Sequence, residues 1–308
     1  MISAAKIDHT SRQKIVGTLY ALVAAIGFSA KAILVKLAYI ETVDAITLLA
    51  LRMAFSLPLF LVAAAMANRD KGNRRLDSRD RLAVVGLGLI GYYLASYLDF
   101  LGLQYISAGL ERLILFLYPT MVVLLSAIML RTPVNRRTIV ALVLSYAGIA
   151  LVFSHDVAIG GDTRALAIGG AWVFVSALLY ALYLVGAGEV IARLGSMRFI
   201  STAMLVSTLF VLFHFAAARE FAQLAAPPRV HALSLAMAIF STVLPTWLIA
   251  EAIRRIGANA TSLIGSLGPV STIGLGVIVL GEPIYAVQMA GVALVLVGVT
   301  LVTLKRTA

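Results

Sequence analysis

The 308-residue sequence contains no cysteine. This absence excludes a disulfide framework, thiolate catalysis and cysteine-ligated metal sites. Charged residues are also scarce, at 13% of the chain, about half the share of a typical soluble domain. The patterns G-x-x-x-x-G-K-[ST] and H-E-x-x-H do not occur, so an ATP-driven pump and a metalloprotease lack their sequence signatures. We therefore expect no enzyme activity, no catalytic residue, no metal and no cofactor.

Apolar residues are what the chain has in excess, at 61% with a mean hydropathy of +1.00. A soluble domain contains about 45–50% apolar residues, so this chain has more of them than an ordinary core can bury. The composition predicts a protein of the lipid bilayer. The net charge of +11 then indicates cytoplasmic loops rich in Lys and Arg rather than a nucleic-acid partner.

Ten apolar stretches have about the length that a helix needs to cross a bilayer, which is about 20 residues. Short polar joints separate them. The sequence therefore predicts an all-α polytopic membrane protein with ten transmembrane helices, at 15–37, 43–66, 82–102, 106–129, 137–153, 168–191, 198–216, 232–252, 259–280 and 285–303.

The distribution of Lys and Arg predicts the orientation of these helices. If the amino terminus is cytoplasmic, 18 of the basic residues fall on the inner side and 4 on the outer side. Basic residues concentrate in the cytoplasmic loops of membrane proteins. We therefore expect a multi-pass protein of the plasma membrane, cytoplasmic or inner, with both termini in the cytoplasm.

The chain also repeats itself at an offset of 150 residues. ISAGLERLILFLYP (106–119) aligns with IGANATSLIGSLGP (256–269), which places Pro119 on Pro269. Each half would hold five helices, and an odd number makes the second half enter from the opposite face. The prediction is two inverted five-helix repeats, divided as a cytoplasmic tail 1–14, a first repeat 15–153, an outer connecting loop 154–167 and a second repeat 168–304.

Two related stretches carry a resemblance to a known family: LQYISAGLERLILFLYP (103–119) and IRRIGANATSLIGSLGP (253–269), the second followed by the turn Gly281-Glu282-Pro283. With the ten spans in two halves, they resemble the EamA family of the drug/metabolite transporter superfamily over about 15–304. The resemblance implies transport of amino acids, other metabolites or drugs, often outward. The first half departs from the pattern, because Arg131-Thr132-Pro133 replaces the Gly-Glu-Pro turn.

Five charged residues fall inside the predicted spans and away from their inner ends, all in the first half: Lys31, Arg52, Asp99, Glu111 and Arg112. A charge in the bilayer costs a few kcal/mol or more, so it usually pairs or binds a ligand. We treat the five as candidates for substrate binding or coupling; the structural alternative is an ion-pair network that clamps the first four helices. Because neighbouring residues point about 100° apart on a helix, we expect Arg112 to pair with Asp99 while Glu111 faces a cavity.

Proline and tyrosine supply the remaining candidates. Pro119 and Pro269 predict kinks at matching midpoints of the fourth and ninth helices, where inverted-repeat carriers bind their substrates. Tyr118, Tyr180 and Tyr183 are candidates for lining the same pocket. Packing alone is the alternative for both sets.

These features favour a secondary carrier that works by alternating access. The five buried charges sum to +1, which favours zwitterionic or anionic metabolites, amino acids first, and the resemblance favours export. The alternatives are a channel, a non-transporting membrane scaffold, or an exporter of drug-like compounds. A channel should show charged rings along its lumen, whereas these charges cluster in one half. Asp99 and Glu111 are the candidates for proton coupling, and the sequence indicates neither the exact substrate nor the oligomeric state.

Overall fold

The structure, a computed structural model, describes residues 2–68, 77–129, 131, 134–159 and 162–303. Side chains at 2–12, 258, 259, 262, 263, 302 and 303 are not described. Every regular element among the described residues is helical. The helices are α1 (Ile2–Tyr39), α2 (Ala45–Asn68), α3 (Ser78–Gly102), α4 (Ala108–Leu115), α5 (Tyr118–Met129), α6 (Arg136–Ala158), α7 (Thr163–Leu194), α8 (Ser196–Ala218), α9 (Pro228–Gly257), α10 (258–265), α11 (Gly268–Leu280) and α12 (Ala286–Thr303), with a 3₁₀ turn at Phe221–Leu224.

Eight helical segments are long and apolar enough to cross a membrane. They are Gln13–Tyr39, Ala45–Ala67, Ser78–Gly102, Ala108–Met129, Arg136–Ala158, Thr163–Leu194, Ser196–Ala218 and Pro228–Gly257. The two remaining predicted spans correspond to shorter apolar helices, Gly268–Leu280 and Ala286–Leu301. At 1.5 Å per residue the first of these is about 20 Å long, less than the roughly 30 Å of a bilayer core.

The connection predicted at 154–167 is shorter than expected. Helix α6 continues to Ala158 instead of ending near 153, and α7 begins at Thr163. Asp162 caps α7, because its carboxylate accepts hydrogen bonds from the backbone N–H groups of the two residues that follow Thr163. Residues 160 and 161 of this connection, the basic joint at 69–76, Thr132-Pro133 and Lys305-Arg306 lie outside the described residues.

Local irregularities recur at the offset of 150 residues that the sequence shows. The two-residue interruption between α4 and α5, at 116–117, recurs between α10 and α11, at 266–267. A π-helical turn at Leu89–Leu94 of α3 recurs at Ile239–Val243 of α9. The correspondence therefore extends from the aligned stretch back into α3 and α9.

Helices α6 and α12 occupy equivalent places in the two halves and pack against each other in opposite directions. A Cβ added to Gly148 would lie 2.6 Å from the carbonyl oxygen of Gly291, and one added to Gly298 would lie 2.6 Å from that of Ala141. The residue nearer the start of α6 thus faces the residue nearer the end of α12. Since 141 corresponds to 291 and 148 to 298, two equivalent helices run antiparallel.

Helices α2 and α8 are also equivalent, and the start of one lies beside the end of the other. Asp44, just before α2, lies 3.3 Å from Nε of Arg219, just after α8. Burial alone would raise the pKa of Asp44, but hydrogen bonds from Thr47 and the Arg219 guanidinium hold it below its usual value. The offset of 150 residues also relates α1 to α7 and α3 to α9. The packing of α1 against α9 is therefore equivalent to the packing of α3 against α7.

The largest buried apolar cluster is formed mainly by α1, α2, α3, α8 and α9. Among its members Leu48, Phe100 and Met237 are fully buried. Lys31, on α1, and Asp99, on α3, extend from helices of this cluster. The charged candidates of the sequence are therefore anchored in a well-packed part of the molecule.

Candidate functional site

Two of the sequence's candidates lie on α4, an eight-residue helix with a defined start and end. Ser107 caps its start, because its hydroxyl accepts a hydrogen bond of 3.2 Å from the N–H of Leu110. The helix ends at Phe116, and a turn separates it from α5. Pro119 is the second residue of α5, where a proline's missing N–H is not needed. The chain therefore breaks just before this proline, instead of bending around it as predicted.

Glu111 reaches from α4 into an ion-pair cluster with α1 and α3. Nζ of Lys31 lies 2.5 Å from Oδ2 of Asp99 and 3.4 Å from Oε1 of Glu111. The Glu111 side chain is 0% exposed and that of Asp99 2%, while Lys31 is 17% exposed. The longer contact does not have hydrogen-bond geometry, and no described donor gives a hydrogen bond to either oxygen of Glu111. The two carboxyl groups are close enough to share a hydrogen bond if one of them is protonated. One ammonium group thus serves two buried carboxylates.

Arg112 does not pair with Asp99, so that prediction is wrong. Its guanidinium lies against Gly268 at the start of α11, where an added Cβ would come 2.7 Å from Nη2. Among the described residues Arg112 forms no ion pair, and its buried Nε has no acceptor. Glu111 and Arg112 do point in different directions from α4, but their predicted roles are exchanged. Glu111 joins the ion pairs, and Arg112 faces the interruption of the second repeat.

Ser29 joins the same place from α1. Its hydroxyl shares its one proton between the carbonyl oxygen of Ala25, at 2.7 Å within α1, and that of Gly268, at 3.0 Å. Thr272 of α11 lies one turn further on, with its Oγ1 3.4 Å from the Ser29 carbonyl oxygen. Pro269, like Pro119, lies in the first turn of its helix. The interruption before α11 is thus bordered by a hydroxyl, a carbonyl and the Arg112 guanidinium.

Arg52 is close enough to Asp99 for electrostatic attraction, but among the described residues it forms no ion pair. Its Nη2 donates to Oγ of Ser96 at 3.3 Å, and its guanidinium carbon lies 5.1 Å from the centre of the Phe100 ring. The side chain is buried, and its Nε has no acceptor. An arginine over an aromatic face gains a cation–π interaction, so Arg52 has a structural role that the sequence did not reveal.

The three predicted tyrosines do come together. The ring of Tyr118, beside the interruption of the first repeat, meets Tyr180 edge-on at 5.2 Å, and Tyr180 stacks on Tyr183 at 5.6 Å. The hydroxyls of Tyr183 and Tyr92 are 3.0 Å apart. Tyr183 also packs over Gly91, where any Cβ would overlap its ring. The sequence GLGLIG at 86–91 has the glycine spacing of a nucleotide-binding loop. Gly88 and Gly91 instead pack closely against neighbouring helices, as small residues inside a span do.

The structure thus groups the candidates into two sets. The ion-pair cluster contains Lys31, Asp99 and Glu111, and the aromatic cluster contains Tyr118, Tyr180, Tyr183 and the unpredicted Tyr92. Arg112 lies at the interruption before α11 with Ser29, which sequence reasoning also missed, since a lone serine in an apolar helix carries no distinguishing signal. Within the described residues no group of three or more His, Cys, Asp or Glu side chains could hold a metal ion.

A chain of long apolar helices whose halves correspond and whose charges are buried between them is a multi-pass membrane protein. The model of the EamA-like transporter family matches residues 15–154 and 167–304. The chain belongs to this family, whose members are transporters rather than enzymes.

Curated relatives carry matching names. An uncharacterized transporter of Bacillus subtilis, YcbK, is 28% identical over 91% of this chain and 90% of its own length. An uncharacterized transporter of Archaeoglobus fulgidus is 26% identical over 85% and 89%, and the uncharacterized inner membrane transporter YicL of Salmonella typhimurium is 24% identical over 80% and 81%. A protein of known crystal structure matches with a TM-score of 0.61 and 18% identity, over 92% of this chain and 95% of that chain, which supports the fold alone.

Proposed function

We propose that the protein is a secondary carrier built of ten transmembrane helices in two inverted repeats, 15–153 and 168–304. The recurrence of helix interruptions 150 residues apart and the antiparallel packing of α6 with α12 support the inversion. The predicted excess of basic residues on one side supports an orientation with both termini in the cytoplasm. Relatives that include an inner membrane transporter favour the bacterial inner membrane.

The substrate is a small zwitterionic or anionic metabolite, amino-acid-like, and transport is outward. The observation that carries the substrate class is the position of Arg112. Its guanidinium has no ion-pair partner in the described part of the chain and lies at the start of α11, where the helix dipole adds to its positive charge. A carboxylate can bind an arginine with two parallel hydrogen bonds. Tyr118 and Tyr180, both close enough to Arg112 for electrostatic interaction, then supply an aromatic wall.

The ion-pair cluster supports proton coupling. The further cations near it, Arg52, Lys36 and Arg112, form no ion pair with either acid among the described residues. With one ammonium group between Asp99 and Glu111, the fully ionised cluster itself carries a net negative charge in a buried place. Such a charge is costly in low dielectric. Glu111, whose oxygens receive no hydrogen bond from a described donor, is the carboxylate that takes up the proton.

A carrier and a channel differ in kinetics. The purified protein, reconstituted in proteoliposomes and loaded in turn with unlabelled amino acids and organic acids, is tested for counterflow of the labelled compound. A carrier shows saturable counterflow, whereas a channel shows unsaturable flux and no counterflow. Arg112→Lys, which keeps the charge without the two-pronged geometry, should raise KM for a carboxylate substrate, and Arg112→Gln should raise it further. Unchanged KM in both variants would remove Arg112 from the binding site.

A further inference from the structure

Glu282, in the turn after α11, makes a hydrogen bond across to the other repeat. Its Oε1 accepts from the backbone N–H of Ala108 at 3.3 Å. Ala108 is the first residue of α4, and the first N–H groups of a helix have no acceptor within it. Ser107 satisfies the N–H of Leu110, so the two side chains share the start of α4. A carboxylate at this position also interacts favourably with the helix dipole.

The local backbone directs Glu282 to this position. Gly281 has a φ of 68°, a left-handed conformation that favours glycine, and the N–H of Glu282 returns to the carbonyl of Gly276 at 3.1 Å. A Cβ added to Gly276 would lie 2.9 Å from Oε2 of Glu282. Glycine at both places therefore gives the turn and the room that the carboxylate needs. Lys36 is close enough to attract both Glu282 and Glu111.

Helix α4 depends on such contacts for its position, because it is only eight residues long and is separated from α5 by a turn. Glu111, the fourth residue of α4, pairs with Lys31, and Arg112 lies against Gly268. The equivalent helix α10 has Thr261 where α4 has Glu111, and the residue 150 positions before Glu282 is Thr132. The carboxylate contact is thus encoded for α4 and not for its counterpart.

We infer that Glu282 is a positioning residue: by accepting the N–H of Ala108 it fixes α4, and with it the places of Glu111 and Arg112. Only the effect of Glu282 on transport rests on the proposed function; its effect on the position of α4 does not. Its test needs no substrate, because the natural chain has no cysteine and the position of α4 can be followed by labelling a single introduced cysteine. A failed search for the substrate therefore leaves the result readable.

The experiment measures the rate of N-ethylmaleimide labelling at two partly buried leucine or valine positions. Leu115→Cys reports on α4, and Val122→Cys, on α5, is the matched control. Each cysteine variant is combined in turn with three substitutions of Glu282. Glu282→Ala removes the hydrogen-bond acceptor, and Glu282→Asp keeps the charge on a side chain one methylene shorter. Glu282→Gln has an amide oxygen that can still accept the hydrogen bond from Ala108. Glu220→Ala, an exposed acid in the connection after α8, controls for loss of a negative charge.

We expect Glu282→Ala and Glu282→Asp to raise labelling at position 115 about fivefold, as loss of one hydrogen bond would, with no change at position 122. Glu282→Gln and Glu220→Ala should stay within about twofold of the parent. If the alanine variant does not fold, the aspartate and glutamine variants decide the question. Unchanged labelling at 115 in the aspartate variant, or an equal rise at 115 and 122, would overturn the inference.

Discussion

The ammonium group of Lys31 lies 2.5 Å from a carboxylate oxygen of Asp99, and this contact joins α1 to α3. Asp99 is 2% exposed, whereas Lys31 retains 17% exposure. Water therefore stabilises the Lys31 ammonium in part, whereas the Asp99 carboxylate depends on Lys31 to balance its charge. Breaking a buried ion pair by removing one member leaves the other charge without compensation.

The first prediction concerns this pair. Lys31→Met should lower the stability of the folded protein by up to about 3–5 kcal/mol, the cost of breaking a buried pair, because it leaves both Asp99 and Glu111 without their cation. Asp99→Asn should cost less, because Lys31 keeps Glu111 as a partner. The Lys31→Met/Asp99→Asn double variant should recover only part of the loss, because it leaves Glu111 without its cation. Adding Glu111→Gln removes the last carboxylate of the cluster and should recover most of it. Melting temperatures of the detergent-solubilised variants measure the effect.

The control for this cycle is Arg112, which forms no ion pair among the described residues. Combining Asp99→Asn with Arg112→Gln should give the sum of the two separate effects, since sites without a shared partner usually act additively. Recovery of stability in that combination instead would mean that Arg112 compensates Asp99 after all.

The second prediction concerns Glu111. Its oxygens receive no hydrogen bond from a described donor, so Glu111→Gln removes a buried negative charge and should fold at least as well as the parent. If this carboxylate carries the coupled proton, transport driven by a pH gradient should be abolished while counterflow continues. Both assays use the same proteoliposomes. An unchanged pH dependence in Glu111→Gln and in Asp99→Asn would exclude both acids from coupling.

The sequence predicted where eight helices long enough to cross a membrane lie, and where the repeat interrupts its helices, because both depend on local composition. Apolar length identified the helices, and the alignment of Pro119 with Pro269 identified the position of the interruptions. The form of the interruption was not predicted: a proline fits a continuous kinked helix or the first turn of a new one equally well. Only the packed structure shows two separate helices.

The partners of the buried charges could not be read from the sequence. Helix periodicity places Glu111 and Arg112 on different sides of α4, but it does not say which neighbour each side meets. Lys31 reaches Asp99 and Glu111 because α1 lies against α4 of its own repeat and against α9 and α11 of the other. This tertiary packing has no local signal in the sequence. The same holds for Glu282, whose partner Ala108 is 174 positions away.

The third prediction concerns topology. Reporter fusions after residues 75 and 160 should report opposite sides of the membrane, with position 75 in the cytoplasm. The basis is the clustering of Lys and Arg in 69–81. An alkaline phosphatase fusion and a fluorescent protein fusion at each position give complementary readouts. The same side at both positions would mean that the number of spans between them is even rather than odd.

The fourth prediction uses the close contact between α6 and α12. Gly148→Ala would place a Cβ 2.6 Å from the carbonyl oxygen of Gly291, a backbone atom that cannot turn aside, so the two helices must separate. Overpacking of this kind typically costs about 1–3 kcal/mol. Gly86→Ala is the matched control, because a Cβ at Gly86 meets nothing within 4 Å, and alanine there should be neutral or stabilising by up to about 1 kcal/mol.

The equivalent position in the second repeat makes this prediction stricter. A Cβ at Gly298 would lie 2.6 Å from the carbonyl oxygen of Ala141, so Gly298→Ala should lower the melting temperature by about as much as Gly148→Ala. Under the offset of 150 residues, the contact of Gly148 with Gly291 is equivalent to the contact of Gly298 with Ala141. The two substitutions should therefore have similar effects on the packing of α6 against α12. A large loss at 148 with none at 298, or a loss at 86 equal to both, would contradict the symmetric packing.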